Sequence, residues 1–177
     1  MNGKNVFVTG PPRCGKTTLI EKLVLRIENP VIGFFTREIR ERGRRSGFLI
    51  MTLDGRKGVL AHENLKGKPR VGKYGVNLQD IDQIAVPSMI PSKPGQVVVV
   101  DEVGKMECYS YAFRDALTEV LNSQYPVIGS IAQKGGRFIQ QIKERADLLM
   151  VHVTEGNRDA PELLSQLLSA LSNRPSE

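Results

Sequence analysis

The sequence is poor in the residues that mark several classes of protein. Its 177 residues include no tryptophan, aromatic residues make up 6% of the chain, and cysteine occurs only at Cys14 and Cys108. Two cysteines are too few for a disulfide framework and lack metal-ligand spacing, so we expect reduced thiols. No apolar run reaches the ~20 residues that span a bilayer, and the N-terminus lacks the apolar segment of a signal peptide. We therefore expect a cytoplasmic protein without a membrane partner.

The composition is otherwise that of an ordinary globular protein with an excess of positive charge. Hydrophobic residues make up 40% and charged residues 25% of the chain, and the formal net charge is +6. The length fits one domain, so we predict a single domain over residues 1–177 that acts as a monomer. The positive charge suits either a nucleic-acid partner or a cleft for polyphosphate substrates. Because the few aromatic residues do not interleave with the arginines, a stacking surface for nucleic acid is poorly supported, and we favour the polyphosphate cleft.

Short apolar strands alternate with amphipathic helices along most of the chain. The predicted strands of this pattern are 5–9, 31–36, 97–100, 127–131 and 148–153. The helical periodicity that separates and follows them is clearest at 19–27, 111–121 and 163–171. An unbroken valine run such as 97–100 is typical of a central parallel strand covered on both faces. The alternation predicts an α/β fold with a mostly parallel central sheet flanked by helices.

A hairpin interrupts this rhythm. Residues 47–53 and 57–62 have strand character and flank the pair Asp54-Gly55, which is a strong turn signal. We predict that they form an antiparallel edge hairpin on the same sheet. Residues 70–76 are predicted to add another strand, and residues 78–85 to form a short helix that Pro87 closes.

The segment between the first strand and the first helix matches the phosphate-loop pattern G-x-x-x-x-G-K-[ST] in full. Glycines let backbone N–H groups turn toward phosphate oxygens, and the N-terminus of the next helix adds its dipole. Lys16 is predicted to bridge the β- and γ-phosphates, and Thr17 to hold Mg²⁺ through its hydroxyl. Cys14 is either a small packed group or, beside a lysine and a helix N-terminus, a reactive thiol. The predicted nucleotide-binding residues of this segment are Gly10, Pro11, Pro12, Arg13, Cys14, Gly15, Lys16, Thr17 and Thr18.

The valine run ends in the acidic pair Asp101-Glu102. An apolar strand that ends in an acidic residue is typical of the second half of a phosphate-loop site, so Asp101 is predicted to bind Mg²⁺ directly or through water. Glu102 is predicted to be the general base that takes a proton from an attacking water. The alternative for Glu102 is an acid at the surface or at the start of a helix.

Asp101-x-x-Gly104 also satisfies the D-x-x-G pattern of GTPase switches, which requires N-K-x-D after a later strand. The chain instead offers Asn157-Arg158-Asp159, with arginine for lysine and the aspartate one place early. We therefore reject strict guanine specificity. Asn157 and Arg158 are predicted to be walls of the base pocket, and the alternative is a turn in which Asp159 caps the last helix.

Arginines are concentrated between residues 37 and 45, just after the second strand. In a parallel sheet the loops that follow strands gather at the edge where ligands bind. One of these arginines, with Arg44 as the chosen candidate beside Arg40 and Arg45, is predicted to stabilise charge on the transferred phosphoryl group. Lys105 is a second candidate for that role. The alternative is a solvated basic turn.

Five segments, at 10–19, 33–40, 44–48, 100–107 and 154–159, together resemble the THEP-type P-loop nucleoside-triphosphatases, the family of the cancer-related nucleoside-triphosphatase. The resemblance implies Mg²⁺-dependent hydrolysis of ATP and other NTPs to NDP and phosphate, with broad base specificity and slow turnover. It also implies the RecA-like ATPase branch of the P-loop fold, in which a carboxylate, here Glu102, adjoins the metal-binding Asp101. The chain departs from the family at Arg13-Cys14, where many members resemble Gly-Val or Gly-Ile.

Two other functions use the same loop. A nucleotide or nucleoside kinase needs an acceptor pocket and an arginine-rich lid, yet Gly135-Gly136 provides only a short loop before the basic residues Arg137, Lys143 and Arg145. A nucleic-acid-associated switch predicts binding to DNA or RNA that weakens steeply with salt.

Overall fold

A computed structural model of the protein describes residues 5–172, so the predicted domain limits at residues 1 and 177 lie outside the described part. The strands are β1 (Asn5–Thr9), β2 (Val31–Glu41), β3 (Arg44–Thr52), β4 (Lys57–His62), β5 (Arg70–Val71), β6 (Tyr74–Val76), β7 (Val97–Val103), β8 (Val127–Ile131) and β9 (Leu148–His152). The helices are α1 (Lys16–Val24), α2 (Leu78–Asp80), α3 (Val86–Ser88), α4 (Tyr111–Asn122), α5 (Arg137–Lys143) and α6 (Pro161–Ser172). None of the helices in this range is long and apolar enough to cross a membrane.

The nine strands form one sheet in the order β5-β6-β4-β3-β2-β7-β8-β1-β9. From β2 to β9 all neighbouring strands pair in parallel, and we call these five strands the parallel half. The predicted α/β fold with a parallel sheet is confirmed here. Because the strands are parallel, the loops that follow β1 and β7 open at the same edge of the sheet.

The valine run of β7 lies at the centre of the parallel half. Val98 and Val100 pack into the core on the side of α4, whereas Val99 packs into the core on the side of α1 and α6. All three are fully buried. This alternation follows from the two-residue period of a strand, and it explains why both faces of β7 must be apolar.

The antiparallel part of the sheet is larger than predicted. Beyond β2 lie β3, β4, β6 and β5, all paired antiparallel, and we call these four strands the antiparallel extension. The hairpin predicted around Asp54-Gly55 is β3–β4, but β2 continues to Glu41 and forms a further hairpin with β3. Its two-residue turn, Arg42-Gly43, has positive φ at both positions (49° and 77°), as a type I′ turn requires. The predicted strand at 70–76 is itself a hairpin, β5–β6.

The predicted helix at 78–85 begins correctly but continues past its expected end. The Asn77 side chain accepts a hydrogen bond from the Asp80 N–H (3.2 Å) and caps α2. A π-helical turn, Ile81–Ala85, then leads directly into α3, so the helical segment reaches Ser88 and includes Pro87. The expectation that Pro87 closes the helix was wrong, because a proline is tolerated in the first turn of a helix.

Candidate nucleotide-binding and active site

The phosphate loop joins β1 to α1 at the carboxyl edge of the parallel half. Gly10 and Gly15 have φ values of 157° and 100°. A Cβ at Gly10 would lie 2.2 Å from the carbonyl oxygen of Val153, and one at Gly15 would lie 2.6 Å from Cδ of Arg158. Both positions therefore favour glycine for the backbone conformation, and at Gly10 the close backbone oxygen also leaves no space for a side chain.

Lys16 folds back across this loop. Its Nζ donates hydrogen bonds to the carbonyl oxygens of Gly10 (3.1 Å) and Pro11 (3.0 Å). These two bonds hold the ammonium group at the mouth of the loop, at the N-terminus of α1. A cation in this position, beside backbone N–H groups and the helix dipole, suits an anionic phosphate.

Asp101 connects the loop to the centre of the sheet. The Thr17 hydroxyl donates to Oδ2 of Asp101 at 2.7 Å, and the Ser130 hydroxyl of β8 donates to its Oδ1. Asp101 is only 1% exposed. Burial raises the pKa of the Asp101 carboxyl, and the hydrogen bonds from Ser130 and Thr17 partly oppose that rise. The carboxylate is therefore dry and fixed in orientation toward the first turn of α1.

The oxygens of Thr17 and Asp101 fit the donor preferences of Mg²⁺. Magnesium takes oxygen ligands, typically one or two carboxylates together with substrate phosphates and water. The hydroxyl and the carboxylate are already in contact at the carboxyl edge of the sheet. Across residues 5–172 no group of three or more His, Cys, Asp or Glu side chains forms a metal site. The donor set therefore suits an ion that shares its coordination with the substrate.

Two further carboxylates flank Gly104, just past Asp101. A Cβ at Gly104 would lie 2.8 Å from Oε2 of Glu107 and 3.3 Å from Oε1 of Glu102. The Gly104 N–H donates to Glu107 at 3.2 Å. Burial raises the pKa of Glu102, which the positive charge of Lys16 partly opposes. Burial, and then the nearby charge of Glu102, raise the pKa of Glu107 to about 8.

The reactive groups predicted from separate motifs meet in one place. Lys16 from the phosphate loop, Glu102 from β7 and Lys105 from the segment that follows β7 all line a cavity of about 440 Å³. A cation for phosphate, a carboxylate of raised pKa and a second cation therefore face the same space. Such a set can bind a phosphate chain and accept a proton beside it.

Comparisons with known proteins show the family to which the chain belongs. A family model described as NTPase matches residues 5–168. The chain belongs to this NTPase family. It is 41% identical to the nucleoside-triphosphatase THEP1 of Thermotoga maritima over 94% of this chain and 94% of that protein. It is also 40% identical to the human cancer-related nucleoside-triphosphatase, over 88% of this chain and 91% of that one.

A solved member of the family has the same fold. The crystal structure of THEP1 from Aquifex aeolicus matches with a TM-score of 0.86 at 31% identity, covering 96% of this chain and 99% of that chain. The resemblance that the sequence motifs suggested is therefore confirmed, and the chain is a member of the nucleoside-triphosphatase family.

Of the two cations predicted to act on the transferred phosphoryl group, Lys105 faces the cavity and Arg44 does not. The Arg44 side chain is 79% exposed, and its guanidinium lies 3.6 Å from the carboxylate of Glu63. Arg40 and Arg45 both form ion pairs with Glu38. The expectation that these arginines occupy a loop after the second strand was wrong, because they lie in the β2–β3 hairpin.

Asn157 is used by the backbone of its own turn. Its Oδ1 accepts a hydrogen bond from the Thr154 N–H (2.8 Å), and its Nδ2 donates to the His152 carbonyl (2.9 Å). Both ends of the amide are therefore engaged at the end of β9. These contacts are those of a turn residue, and a role for Asn157 in the base pocket stays a prediction.

The neighbours of Asn157 contact α1 and the phosphate loop. Asp159 accepts hydrogen bonds from Lys22 of α1 (2.6 Å) and from Arg158 (3.4 Å), so its side chain is engaged there rather than at the start of α6. Arg158 lies against Gly15, since a Cβ built on that glycine would be 2.6 Å from Cδ of Arg158. The structure therefore brings Arg158, unlike Asn157, directly to the loop.

The remaining loop residues divide between core and surface. Cys14 is 3% exposed and packs with the core beneath α1, which supports the packed-group alternative. Pro11, Pro12 and Thr18 are exposed. Arg13 has a positive φ of 64°, and its guanidinium approaches Glu38 of β2 to 3.9 Å. Arg13 therefore connects the phosphate loop to the hairpin where the antiparallel extension begins.

Two residues near the site received no role from the sequence. Ser130 interrupts the apolar strand β8, and a polar residue in a buried strand is a signal that a partner exists. Glu107 ends the segment Asp-Glu-x-Gly-Lys-Met-Glu, but nothing in its spacing shows that it is buried beside Glu102. Its position depends on the 3₁₀ turn at Glu107–Tyr109, which brings the chain back toward Gly104.

Proposed function

We propose that this chain hydrolyses nucleoside triphosphates to nucleoside diphosphate and phosphate, with Mg²⁺ and with little selectivity for the base. The observation that carries the proposal is the 2.7 Å contact between Thr17 and Asp101. It joins the phosphate loop to the acidic end of β7, the two halves of a site that binds a phosphate chain and a metal ion. The proposal is supported by membership of the NTPase family.

Each residue of the site then has a distinct task. The N–H groups of the loop and Lys16 bind the phosphates, and Thr17 and Asp101 would hold Mg²⁺, which stabilises the charge that develops on the phosphate oxygens. Glu102 accepts a proton from water as the water oxygen attacks the γ-phosphorus. Its raised pKa makes it the stronger base. Lys105 replaces Arg44 as the cation that we assign to the transferred phosphoryl group, because it lines the same cavity.

The surroundings of the loop support broad base specificity. The Asn157 amide makes one hydrogen bond at each end to a backbone atom, which ties the side chain to its own turn and leaves it one N–H and one lone pair for a base. Arg158 offers an aliphatic stem and a positive charge beside the loop. The stem can pack against the ring of any base and the charge can attract phosphate, so neither group distinguishes one base from another. The carboxylate of Glu102 beside Asp101 supports assignment to the RecA-like ATPase branch.

The organisation of the chain supports action by one unit. The nine strands belong to a single sheet, in agreement with one domain, and a cytoplasmic monomer remains part of the proposal. Four of the five arginines between residues 37 and 45 form ion pairs, which reduces the free charge that they offer to nucleic acid. Arg37 pairs with Glu21, Arg40 and Arg45 pair with Glu38, and Arg44 pairs with Glu63. We therefore favour nucleoside triphosphates over nucleic acid as the partner of this chain.

Phosphate release from the common NTPs and dNTPs tests the proposal, with Mg²⁺ or with EDTA, and with or without added DNA or RNA. We expect release from all bases at rates within about tenfold of one another, since we assign no side chain among residues 5–172 to a polar contact that would discriminate more strongly. We expect no release with EDTA and no dependence on nucleic acid.

The loop assignment has its own variant. Lys16→Ala is expected to weaken Mg·ATP binding and turnover together, while Lys57→Ala, an exposed lysine at the start of β4, matches the parent protein. Tight binding of Mg·ATP by the Lys16→Ala variant, measured by calorimetry, would contradict the assignment.

A further inference from the structure

The cavity beside the phosphate loop extends beyond that loop to side chains of the antiparallel extension. Its volume is about 440 Å³. Cavities of ~300–1,000 Å³ with apolar walls and a few convergent polar groups are typical of small-molecule sites. We call this space the side cavity.

The antiparallel extension supplies most of its apolar wall. Phe48 of β3, Leu60 of β4 and Val71 of β5 line it on that side, and Met106 lines it from the segment after β7. The strands that bear these side chains are additional to the parallel half that holds the phosphate loop. The extension therefore places an apolar wall beside the reactive groups. A water molecule that attacks the phosphate has no use for such a wall.

The polar groups of the side cavity lie where a reaction with the γ-phosphate would occur. Lys16 and the two carboxylates Glu102 and Glu107 line one part of it. Lys105 and Lys134 also line it, and both are exposed to solvent. Among residues 5–172 neither of these two lysines has an acidic partner within ion-pair distance. The mouth of the cavity therefore offers unpaired positive charge to an anionic group.

We propose that the side cavity is a phosphoryl-acceptor subsite, which binds a small alcohol with an apolar body and an anionic group and presents its hydroxyl to Glu102. The inference rests on the proposed function, because the phosphoryl donor is the nucleoside triphosphate on the same loop. Hydrolysis is then the reaction in which water takes the place of the alcohol.

The transfer balances without another reactant. The hydroxyl oxygen forms a bond to the γ-phosphorus, and the bond from that phosphorus to the bridging oxygen breaks. The nucleoside diphosphate leaves with the electron pair, and the hydroxyl proton passes to the Glu102 carboxylate. The products are a phosphate monoester, a nucleoside diphosphate and a proton that Glu102 releases to solvent.

Three related compounds test the subsite in the presence of Mg·ATP labelled in the γ-phosphate. para-(Hydroxymethyl)benzoate carries the hydroxyl, the apolar ring and the anion, benzyl alcohol lacks the anion, and para-methylbenzoate lacks the hydroxyl. We expect labelled phosphate ester from the first, at least about tenfold less from the second because an anionic contact is lost, and slower hydrolysis with the third because it occupies the cavity.

Two variants locate the effect. Val71→Trp narrows the side cavity from an edge strand, and we expect it to lower the ratio of transfer to hydrolysis by at least about tenfold. Lys134→Ala changes an exposed side chain and leaves the apolar wall intact. It is expected to raise the concentration of para-(hydroxymethyl)benzoate needed for half-maximal transfer several-fold, with no change for benzyl alcohol. Leu25→Trp, at a residue 85% exposed and outside the cavity, is the matched control.

The outcomes separate this inference from the proposed function. Hydrolysis of ATP with no labelled ester, and with no slowing by para-methylbenzoate, overturns the subsite and leaves the hydrolase intact. Absence of both hydrolysis and transfer overturns the proposed function as well. If Val71→Trp instead weakens Mg·ATP binding in calorimetry, the cavity holds part of the nucleotide and the subsite is rejected. An unchanged transfer in Lys134→Ala rejects the anionic group.

Discussion

The acidic groups at the end of β7, in the parallel half, and those of the antiparallel extension have opposite electrostatic surroundings. In the parallel half, Asp101, Glu102 and Glu107 are gathered at the end of β7, and burial raises the pKa of all three carboxyls. None of the three has a lysine or arginine within ion-pair distance among the described residues. Their negative charge is therefore costly as long as nothing else compensates for it.

The extension shows the reverse. Burial raises the pKa of Glu38, which lies on β2 at the border of the extension, but the hydrogen bonds and charges of Arg45 and Arg40 lower it overall. A hydrogen bond from Arg56 lowers the pKa of Asp54 to about 2, and one from Lys73 lowers the pKa of Glu63. These acids are compensated by the protein itself.

This difference separates structural acids from functional ones. An acid that already has a cation contributes to the folded state and is unavailable for a ligand. An acid kept dry and unpaired gains most from a bound metal ion or from a transferred proton. The contrast also explains why the arginines of the β2–β3 hairpin stay outside the reaction, since their charge is already used.

The largest effect that tests this contrast is loss of the Glu102 carboxylate. Glu102→Gln is expected to lower turnover by about 10²–10⁴-fold, because it removes the proton acceptor while keeping the shape of the side chain. Affinity for Mg·ATP is expected to remain that of the parent. Phosphate release and calorimetry measure the two quantities, and Glu63→Gln in the extension is the matched control. Hydrolysis at the parental rate would show that Glu102 is not the base.

The next effect concerns stability in the parallel half. Gly33 of β2 has a φ of 113°, and a Cβ there would lie 1.9 Å from the carbonyl oxygen of Val99. Gly33→Ala is expected to lower the free energy of unfolding by about 3 kcal/mol, from strain and from collision with β7.

Gly55 in the β3–β4 turn provides the control for this substitution. It has a similar φ of 91° but no atom within 4 Å of a built Cβ. Gly55→Ala is expected to cost about 1 kcal/mol, from strain alone. Urea unfolding measures the loss of unfolding free energy in both variants. Equal losses would mean that the close approach of β2 to β7 adds nothing to the cost of the substitution at Gly33.

A smaller effect is the pH dependence that Glu107 confers. Its pKa is raised from the ordinary value of 4.5 to about 8, so the folded protein retains a proton that the unfolded chain releases. The contribution of Glu107 to the free energy of unfolding is thus fully present below pH ~4.5, lost as the pH rises to ~8, and constant above that. Glu107→Gln removes this loss. The free energy of unfolding of the variant is therefore expected to rise relative to that of the parent by on the order of 1–3 kcal/mol between pH ~4.5 and ~8.

Glu63→Gln is the counterpart for the pH measurement. The pKa of Glu63 is lowered by Lys73, so the stability that this acid provides is present above its ordinary pKa and is lost only at lower pH. Urea titrations without nucleotide or metal from pH 5 to 8 are expected to show a flat difference for this variant. A flat difference for Glu107→Gln would show that its carboxyl is ionised in the folded protein.

The smallest effect is expected at Arg44. Arg44→Ala should leave turnover within about twofold of the parent, because an exposed ion pair contributes little and lies outside the cavity. Lys105→Ala, which removes the other predicted cation, is expected to lower turnover at least about tenfold by the loss of charge stabilisation. If turnover falls more in Arg44→Ala than in Lys105→Ala, Arg44 rather than Lys105 is the cation that acts on the transferred phosphoryl group.

The parts of the molecule that the sequence predicts best are those whose signal is local. The phosphate loop follows from glycine spacing and from the strand and helix on either side of it. Asp101 follows from its place at the end of a valine run. In each case the residues that define the feature are neighbours in the chain, so no tertiary contact is needed to recognise it.

The parts that it predicts poorly depend on partners distant in the chain. The β2–β3 hairpin lacks a usual turn pair, since Arg42 occupies a position with positive φ that asparagine or glycine commonly fills. Arg44 could not be assigned to the surface without knowledge of Glu63, nor Glu107 to the interior without the turn that brings it back to Gly104. Ion pairs and burial of this kind belong to the assembled fold.

The order of strands in the sheet has a consequence for the synthesis of the chain. β1, the first of the nine strands in chain order, pairs with β8 on one side and with β9 on the other. The hairpins of the antiparallel extension can form early from local contacts, whereas β1 must wait until residue 152 has emerged from the ribosome to gain both neighbours. The phosphate loop follows β1 directly, so the strand that supports it is flanked on both sides only after β9 has been synthesised. A nascent chain shorter than this gains little stability from cellular ATP.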